Sequence, residues 1–138
     1  MFTSISELRV RFQETDKMGV VYHSNYYVWF EIGRTDYLRE LGYPYSKLEE
    51  EGIMLPVIEC DCKYINPARY DDEIIVKSTL EELKGASMTI YYEVFRKVTN
   101  ELLVTGHTMH AITDKNMKPV RLRTIKPELW ERLNKTDK

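Results

Sequence analysis

Leu8, Val10 and Phe12 alternate with Glu7, Arg9 and Arg11. That period of two marks a half-buried strand and predicts one over Ile5–Phe12. A polar stretch from Gln13 to His23, with Asp16 and Gly19 inside it, reads as a loop. From Asn25 to Leu41 the spacing becomes helical, with Glu31, Arg34, Thr35 and Arg39 on one narrow polar face. Tyr26, Tyr27, Val28, Trp29 and Phe30 make its first two turns apolar nearly all round, as expected of a helix covered on most sides. Ser24 or Asn25 supplies a candidate N-cap, and Gly42 follows the last turn. A second short helix over Tyr45–Glu51 ends at Gly52, with Glu49, Glu50 and Glu51 on its exposed side.

The remainder is predicted to be strand, over 54–66, 73–84, 87–98 and 101–113. Ile74, Val76 and Leu80, then Met88, Ile90, Tyr92 and Val94, then Leu102, Val104 and Ile112 alternate with polar neighbours. Gly85 and Asn100 sit where tight reversals would turn the last three strands into an antiparallel meander. The polar stretch Asp114–Lys118 and Pro119 end it, and a short helix over Pro127–Asn134 closes the chain. One strand, one long apolar helix and four strands imply an α+β domain whose sheet wraps the helix. The order suggests a hotdog fold and leaves ferredoxin-like arrangements open.

The chain has 138 residues, 43% of them hydrophobic, and a net charge of −2. This length suits one domain, residues 1–138, with its own core. With 20 basic against 22 acidic residues there is no basic excess of the kind nucleic-acid binding needs. A small ligand met by a few local cations fits better. No window reaches the eighteen apolar residues of a membrane span. The N-terminal segment lacks a signal-peptide pattern, so a cytoplasmic protein is expected. Cys60 and Cys62 share a strand face with Ile58 and Tyr64 and are expected to be buried free thiols. His107 and His110 differ in parity and should face opposite sides of the sheet, so no shared metal is expected.

The chemistry concentrates in Gln13-Glu14-Thr15-Asp16-Lys17-Met18-Gly19-Val20-Val21-Tyr22-His23-Ser24-Asn25-Tyr26. A carboxylate lies here a few residues before a helix N-terminus, where unpaired N–H groups collect and the dipole favours negative charge. Such donors can hold an oxyanion while Asp16 attacks an acyl carbon or deprotonates water. Read by itself, an Asp three residues before a Gly is more often turn chemistry.

The run Asp16-x-x-Gly19-Val20-Val21-Tyr22-His23-x-Asn25-Tyr26 resembles the signature of the 4-hydroxybenzoyl-CoA thioesterase family. Val20-Val21-Tyr22-His23 is most similar to its YbgC-like acyl-CoA thioesterase branch. Arg34-Thr35, Asn66-Pro67-Ala68-Arg69-Tyr70-Asp71-Asp72 and Gly106-His107 extend the resemblance over roughly residues 5 to 130. It implies a hotdog fold and hydrolysis of an acyl-CoA, with Asp16 as the catalytic carboxylate assisted by Tyr22 and His23. It further implies backbone donors at Gly19, Val20 and Val21 as the oxyanion hole. Lys84, Arg121 and Arg123 match positions where relatives contact the nucleotide of coenzyme A. No cofactor or metal is implied beyond the CoA of the substrate, for which acyl carrier protein is the alternative carrier. The family expectation for assembly is a homodimer joined edge to edge, with shared active sites, pairing into a homotetramer. Lys17-Met18 departs from the smaller residues common after the aspartate and leaves the acyl preference open. Two other readings remain: a hotdog hydroxyacyl-thioester dehydratase pairing His23 with Glu31, and a non-catalytic binder of acyl-CoA or acyl carrier protein.

Overall fold

The computed structural model describes residues 2–136. Five strands, β1 (Thr3–Arg9), β2 (Val57–Tyr64), β3 (Glu73–Lys84), β4 (Ser87–Arg96) and β5 (Glu101–Ala111), form one antiparallel sheet in the order β1-β3-β4-β5-β2. The long helix α1 (Asn25–Glu40) packs across one face. Helix α2 (Tyr45–Glu50) follows it, and α3 (Leu122–Ile125) and α4 (Pro127–Thr136) close the chain. The α+β arrangement expected from the sequence is the one observed.

Period-two alternation explains the centre of the sheet. Ile74, Val76 and Leu80 of β3, with Ile90, Tyr92 and Val94 of β4, are fully buried beneath the helix. From the helix, Trp29, Phe30, Tyr37 and Leu38 meet them, and Phe30 stacks on Tyr92 with centroids 4.3 Å apart and planes 5° apart. Gly106 of β5 makes that seat possible. A Cβ there would lie 2.5 Å from the Asp61 carbonyl oxygen and 2.7 Å from the Phe30 ring.

The edges of the sheet depart from expectation. The first strand ends at Arg9, and Phe12, 77% exposed, instead opens a single 3-10 turn (Phe12–Glu14). The strand expected over 54–66 is shortened to β2, with Met54 making only an isolated bridge to Thr113. Cys60 is exposed and Cys62 half-buried, so the expectation of two buried thiols is corrected. The two residues do share a face, but β2 is an edge strand, and α1 reaches it through side chains such as Tyr27 at Cys60 without covering it. For the same reason Val28 and Ile32 of α1 remain exposed, as do Val57 and Ile58 of β2. Within one chain the helix is covered on one face rather than on most sides.

Candidate active site

Residues 14–25 form a small closed structure of their own. Asp16 N–H donates to the Val20 carbonyl (2.9 Å) and Gly19 N–H to the Asp16 carbonyl (3.0 Å), making a turn with Gly19 at φ +79°. Glycine takes that left-handed conformation without the steric cost a Cβ would bring. Thr15 bridges Val21, and Val20 and Val21 pair in turn with the 68–69 segment, Val21 N–H donating to Ala68 (2.9 Å). Glu14 anchors both ends. Its carbonyl accepts Tyr22 N–H (2.8 Å) and Asn25 Nδ2–H (2.9 Å), and its carboxylate accepts the Trp29 indole N–H (2.9 Å) and Arg11 N–H (2.8 Å). Glu14 is only 4% exposed. Nothing in the local sequence pattern signals this burial. Ser24 occupies the N-cap position without a side-chain cap, and Asn25 bonds to Glu14 instead.

Within this loop Asp16 is half-buried. Its Oδ1 accepts Met18 N–H at 2.8 Å, and among the described residues its Oδ2 has no partner. Asp16 lines a cavity of about 380 Å³ together with Val20, Val21, Tyr22, His23 and Tyr26. Tyr64, Ile65, Asn66 and Pro67, from the end of β2 and the loop after it, complete the wall. Asp16, Tyr22 and His23, singled out from the sequence, are therefore brought to one cavity. By pattern alone Tyr64 is a strand-face residue and Tyr26 belongs chiefly to the core. Their membership depends on the edge strand ending where α1 begins, which no local pattern encodes.

Aromatic rings crowd the cavity. His23 lies 4.4 Å from Tyr22 and 6.4 Å from Tyr64, and Tyr26 lies 5.5 Å from Tyr64. Loss of solvent pushes the Tyr26 and Tyr64 phenols up, and the nearby Cys62 thiol adds to the rise at each. Both are therefore neutral hydroxyls near pH 7. Tyr64 donates to the His23 carbonyl at 3.2 Å, and Tyr26 accepts Ala68 N–H at 3.2 Å.

The three expected backbone donors are not equivalent. Gly19 and Val21 N–H are both engaged within the chain, as is Tyr22 N–H. Among the described residues, the N–H groups of Val20 and His23 have no internal acceptor, and both residues line the cavity. Donor capacity therefore falls on Val20 and on His23, just before α1.

Lys84, Arg121 and Arg123 lie elsewhere. Lys84 ends β3 and pairs with Glu82 at 3.4 Å, and Arg121 packs against Gly85 in the β3–β4 turn. Arg123 is exposed nearby on α3. This end of the sheet is level with Ala111, whereas Tyr64 is level with Val104. Seven residues of rise along β5 separate the two ends by roughly 23 Å. A single chain does not gather these cations around Asp16. Glu31 lines a different groove with Tyr27, Arg34 and Cys60, away from the His23 cavity. His107 and His110 do face opposite sides: His107 lies 2.9 Å from Asp61 on the open face, and His110 is buried. No helix among the described residues is long and apolar enough to cross a membrane.

Comparison with known proteins agrees with this architecture. The model of the thioesterase-like superfamily matches residues 10–133. YneP of Bacillus subtilis is 35% identical over 129 residues, covering 93% of each chain. The acyl-CoA thioesterase YbgC of Haemophilus influenzae is 38% identical over 116 residues, 82% of this chain and 83% of that one. The solved structure of a DHNA-CoA thioesterase from Staphylococcus aureus superposes with a TM-score of 0.93 at 37% identity, covering 98% of this chain and 91% of that one. The chain therefore belongs to the thioesterase-like superfamily and is a hotdog-fold thioester hydrolase.

Proposed function

We propose that this chain hydrolyses an acyl-CoA thioester to free CoA and a carboxylic acid, with Asp16 as the reacting carboxylate. One observation carries the reading: Asp16 offers one pinned and one unpartnered oxygen to a cavity whose wall also holds the unpaired amides of Val20 and His23. A thioester whose carbonyl oxygen rests on those amides presents its carbon to Asp16. Preorganised donors of this kind favour the charge that develops on the oxygen as the carbon becomes tetrahedral. Asp16 then either attacks the carbon, expelling the thiolate and leaving an anhydride for water to open, or takes a proton from the attacking water. His23 and Tyr22 border the same space, where His23 is suited to pass a proton to the departing sulfur.

Two copies joined through β2 would complete the site. That edge is unpaired, and Val28, Ile32, Val57 and Ile58 are exposed beside it. Antiparallel pairing of two β2 edges reverses one copy relative to the other. The Lys84–Arg121–Arg123 end of the partner then lies toward Asp16, where its cations can meet the phosphates of CoA. Association of two such dimers gives the homotetramer expected of the family.

Thiol release from a panel of acyl-CoAs, compared between wild type and Asp16→Asn, tests the assignment. Asparagine keeps an acceptor for Met18 N–H, so the loop should persist while the rate falls by roughly 10² to 10⁴. Equal rates in the two proteins would exclude Asp16 as the reacting group. A dehydratase would instead give an enoyl product without free thiol, and the placing of Glu31 and His23 in different grooves argues against that reaction. A binding module would hold CoA and release nothing.

A further inference from the structure

β2 has no neighbouring strand on its outer side, and its hydrogen bonds to β5 fix which residues face outward. Ile65 N–H donates to the Leu103 carbonyl at 2.9 Å, in step with the pairing of Tyr64 with Val104. In an antiparallel ladder, directly opposed residues alternate between exchanging both bonds and exchanging none. Asp61 and Lys63 therefore bond to β5, while the N–H and C=O groups of Cys60, Cys62 and Tyr64 point to the free edge. Side chains alternate likewise, putting Cys60 and Cys62 on the α1 side and Glu59, Asp61 and Lys63 on the open face. In agreement, Cys60 lines a groove with Tyr27 and Arg34, and Asp61 meets His107 at 2.9 Å.

An open row of backbone donors and acceptors is a template for another strand. The charges beside it favour a second copy of β2, joined about a twofold axis that sets one residue opposite itself. With Cys60 on the axis, Glu59 faces the partner's Asp61 in two repulsive pairs. With Cys62 on the axis, only residues 60–64 of the strand are paired. With Asp61 on the axis, residues 58–64 pair, seven of the eight in the strand, and each Glu59 faces the partner's Lys63. Opposite charges across a ladder stabilise it and like charges weaken it. Neither Glu59 nor Lys63 has an ion-pair partner among the described residues. The one like-charge contact left, between the two Asp61 carboxylates, has a His107 imidazole against each.

We propose that two copies join with the twofold axis through Asp61, so that Cys60 of each stands opposite the partner's Cys62 and a small disulfide can lock the pair covalently. Bonded partners in such a ladder have Cα atoms about 5.5 Å apart, within the roughly 4.4–6.8 Å that a disulfide spans. The same register sets the partner's Ile58 beside Tyr64, on the wall of the Asp16 cavity. Cys60 is exposed, whereas Cys62 is half-buried, and burial pushes its thiol up. Oxidation therefore starts at Cys60, whose thiolate attacks oxidised glutathione and releases one glutathione. The partner's Cys62 then loses its proton and attacks the Cys60 sulfur, releasing the second. Two protein thiols give up two electrons and two protons, and both glutathiones leave as thiols. This register rests on the proposed dimer through β2 and adds a redox-sensitive site to it.

Wild type, Cys60→Ser and Cys62→Ser are treated with oxidised glutathione, quenched with N-ethylmaleimide and run unreduced on denaturing gels. Wild type should run as a covalent dimer and each variant as a monomer. Co-expression of the two variants should restore a crosslinked heterodimer, which mere loss of structure would not do. A crosslink that survives in Cys62→Ser moves the axis to Cys60, and one that survives in Cys60→Ser moves it to Cys62. Either result overturns the proposal, as does a wild type that never crosslinks. Subunit exchange between tagged and untagged copies, under reducing conditions, reads the charges without the thiols. Lys63→Glu should exchange roughly tenfold faster than wild type, and Glu59→Lys/Lys63→Glu should return to within about threefold of it. A double variant as fast as the single one refutes the Glu59–Lys63 pairing. Faster exchange in Lys63→Glu with the crosslinks of another axis removes this register and leaves the β2 dimer standing. Exchange that neither change affects places the contact elsewhere, and the β2 dimer falls with it.

Discussion

Glu14 lies two residues from Asp16, buried, with its carboxylate against the Trp29 indole and the Arg11 amide. Replacing it with alanine strands the Trp29 N–H in the core, where an unsatisfied donor costs about 1–3 kcal/mol. The Arg11 amide is nearer solvent and can recover a bond from water, so it adds less. The expected loss for Glu14→Ala is roughly 2–4 kcal/mol, a large part of the 5–15 kcal/mol typical of a domain. Glu14→Gln keeps the volume and one acceptor and should cost about 1–2 kcal/mol. A double-mutant cycle with Trp29→Phe isolates the bond between them. Urea unfolding followed by far-ultraviolet circular dichroism should give a coupling of about 1–2 kcal/mol, well above the few tenths found for independent sites. Strict additivity would refute the claim that this bond ties the loop to α1. The same variants should lose kcat for thiol release at temperatures where they remain folded, because slack at Glu14 moves Asp16. Kinetics unchanged alongside a large coupling would mean that the anchor serves stability alone.

Two further predictions concern the scaffold. Burial, reinforced by the charge of Arg34, lowers the His110 imidazole to about 4 from the ordinary 6.5. Between those values the unfolded chain binds a proton that the folded chain does not, so stability falls as pH drops below 6.5. By pH 4.5 the loss should reach roughly 2 kcal/mol, and urea midpoints for wild type should decline more steeply with acid than those of His110→Gln; parallel declines would show that His110 does not titrate this way. Gly106→Ala places a methyl group against the Asp61 carbonyl and the Phe30 ring. Overpacking there should destabilise by about 1–3 kcal/mol, and a thermal midpoint equal to wild type would show that α1 can lift off β5 at little cost.

The central strands were legible because period-two alternation and burial coincide where a sheet is covered by one helix, as at Ile74, Val76, Ile90 and Tyr92. The Asp16 loop was legible through its residue types and its resemblance to a known signature. Alternation alone cannot say which strand lies at an edge, and for that reason Cys60 and Cys62 are more exposed than their pattern predicts. Phe12 continued the pattern of β1 in sequence, but the chain leaves the sheet at Val10, where the amide bonds to Asp72. Tyr64 joined the cavity through the crossing of β2 with the start of α1, a juxtaposition of residues 41 apart at the Tyr64–His23 contact. A carboxylate in a polar run such as Glu14 carries no sign of burial until its partner, fifteen residues along the chain in the second turn of α1, is known.

The carbonyl of Glu14 receives one bond from each of two places farther along, Tyr22 and Asn25. That convergence fixes the contour length of the intervening chain. A residue inserted or deleted between 15 and 21 has no slack to absorb it and shifts Asp16 against Val20 directly. At the exposed Lys97–Asn100 turn, a comparable change can be taken up in solvent. Variation tolerated near the chemistry should therefore take the form of exchanged side chains at constant length, as at Lys17 and Met18, while changes of length collect at exposed reversals such as Lys97–Asn100.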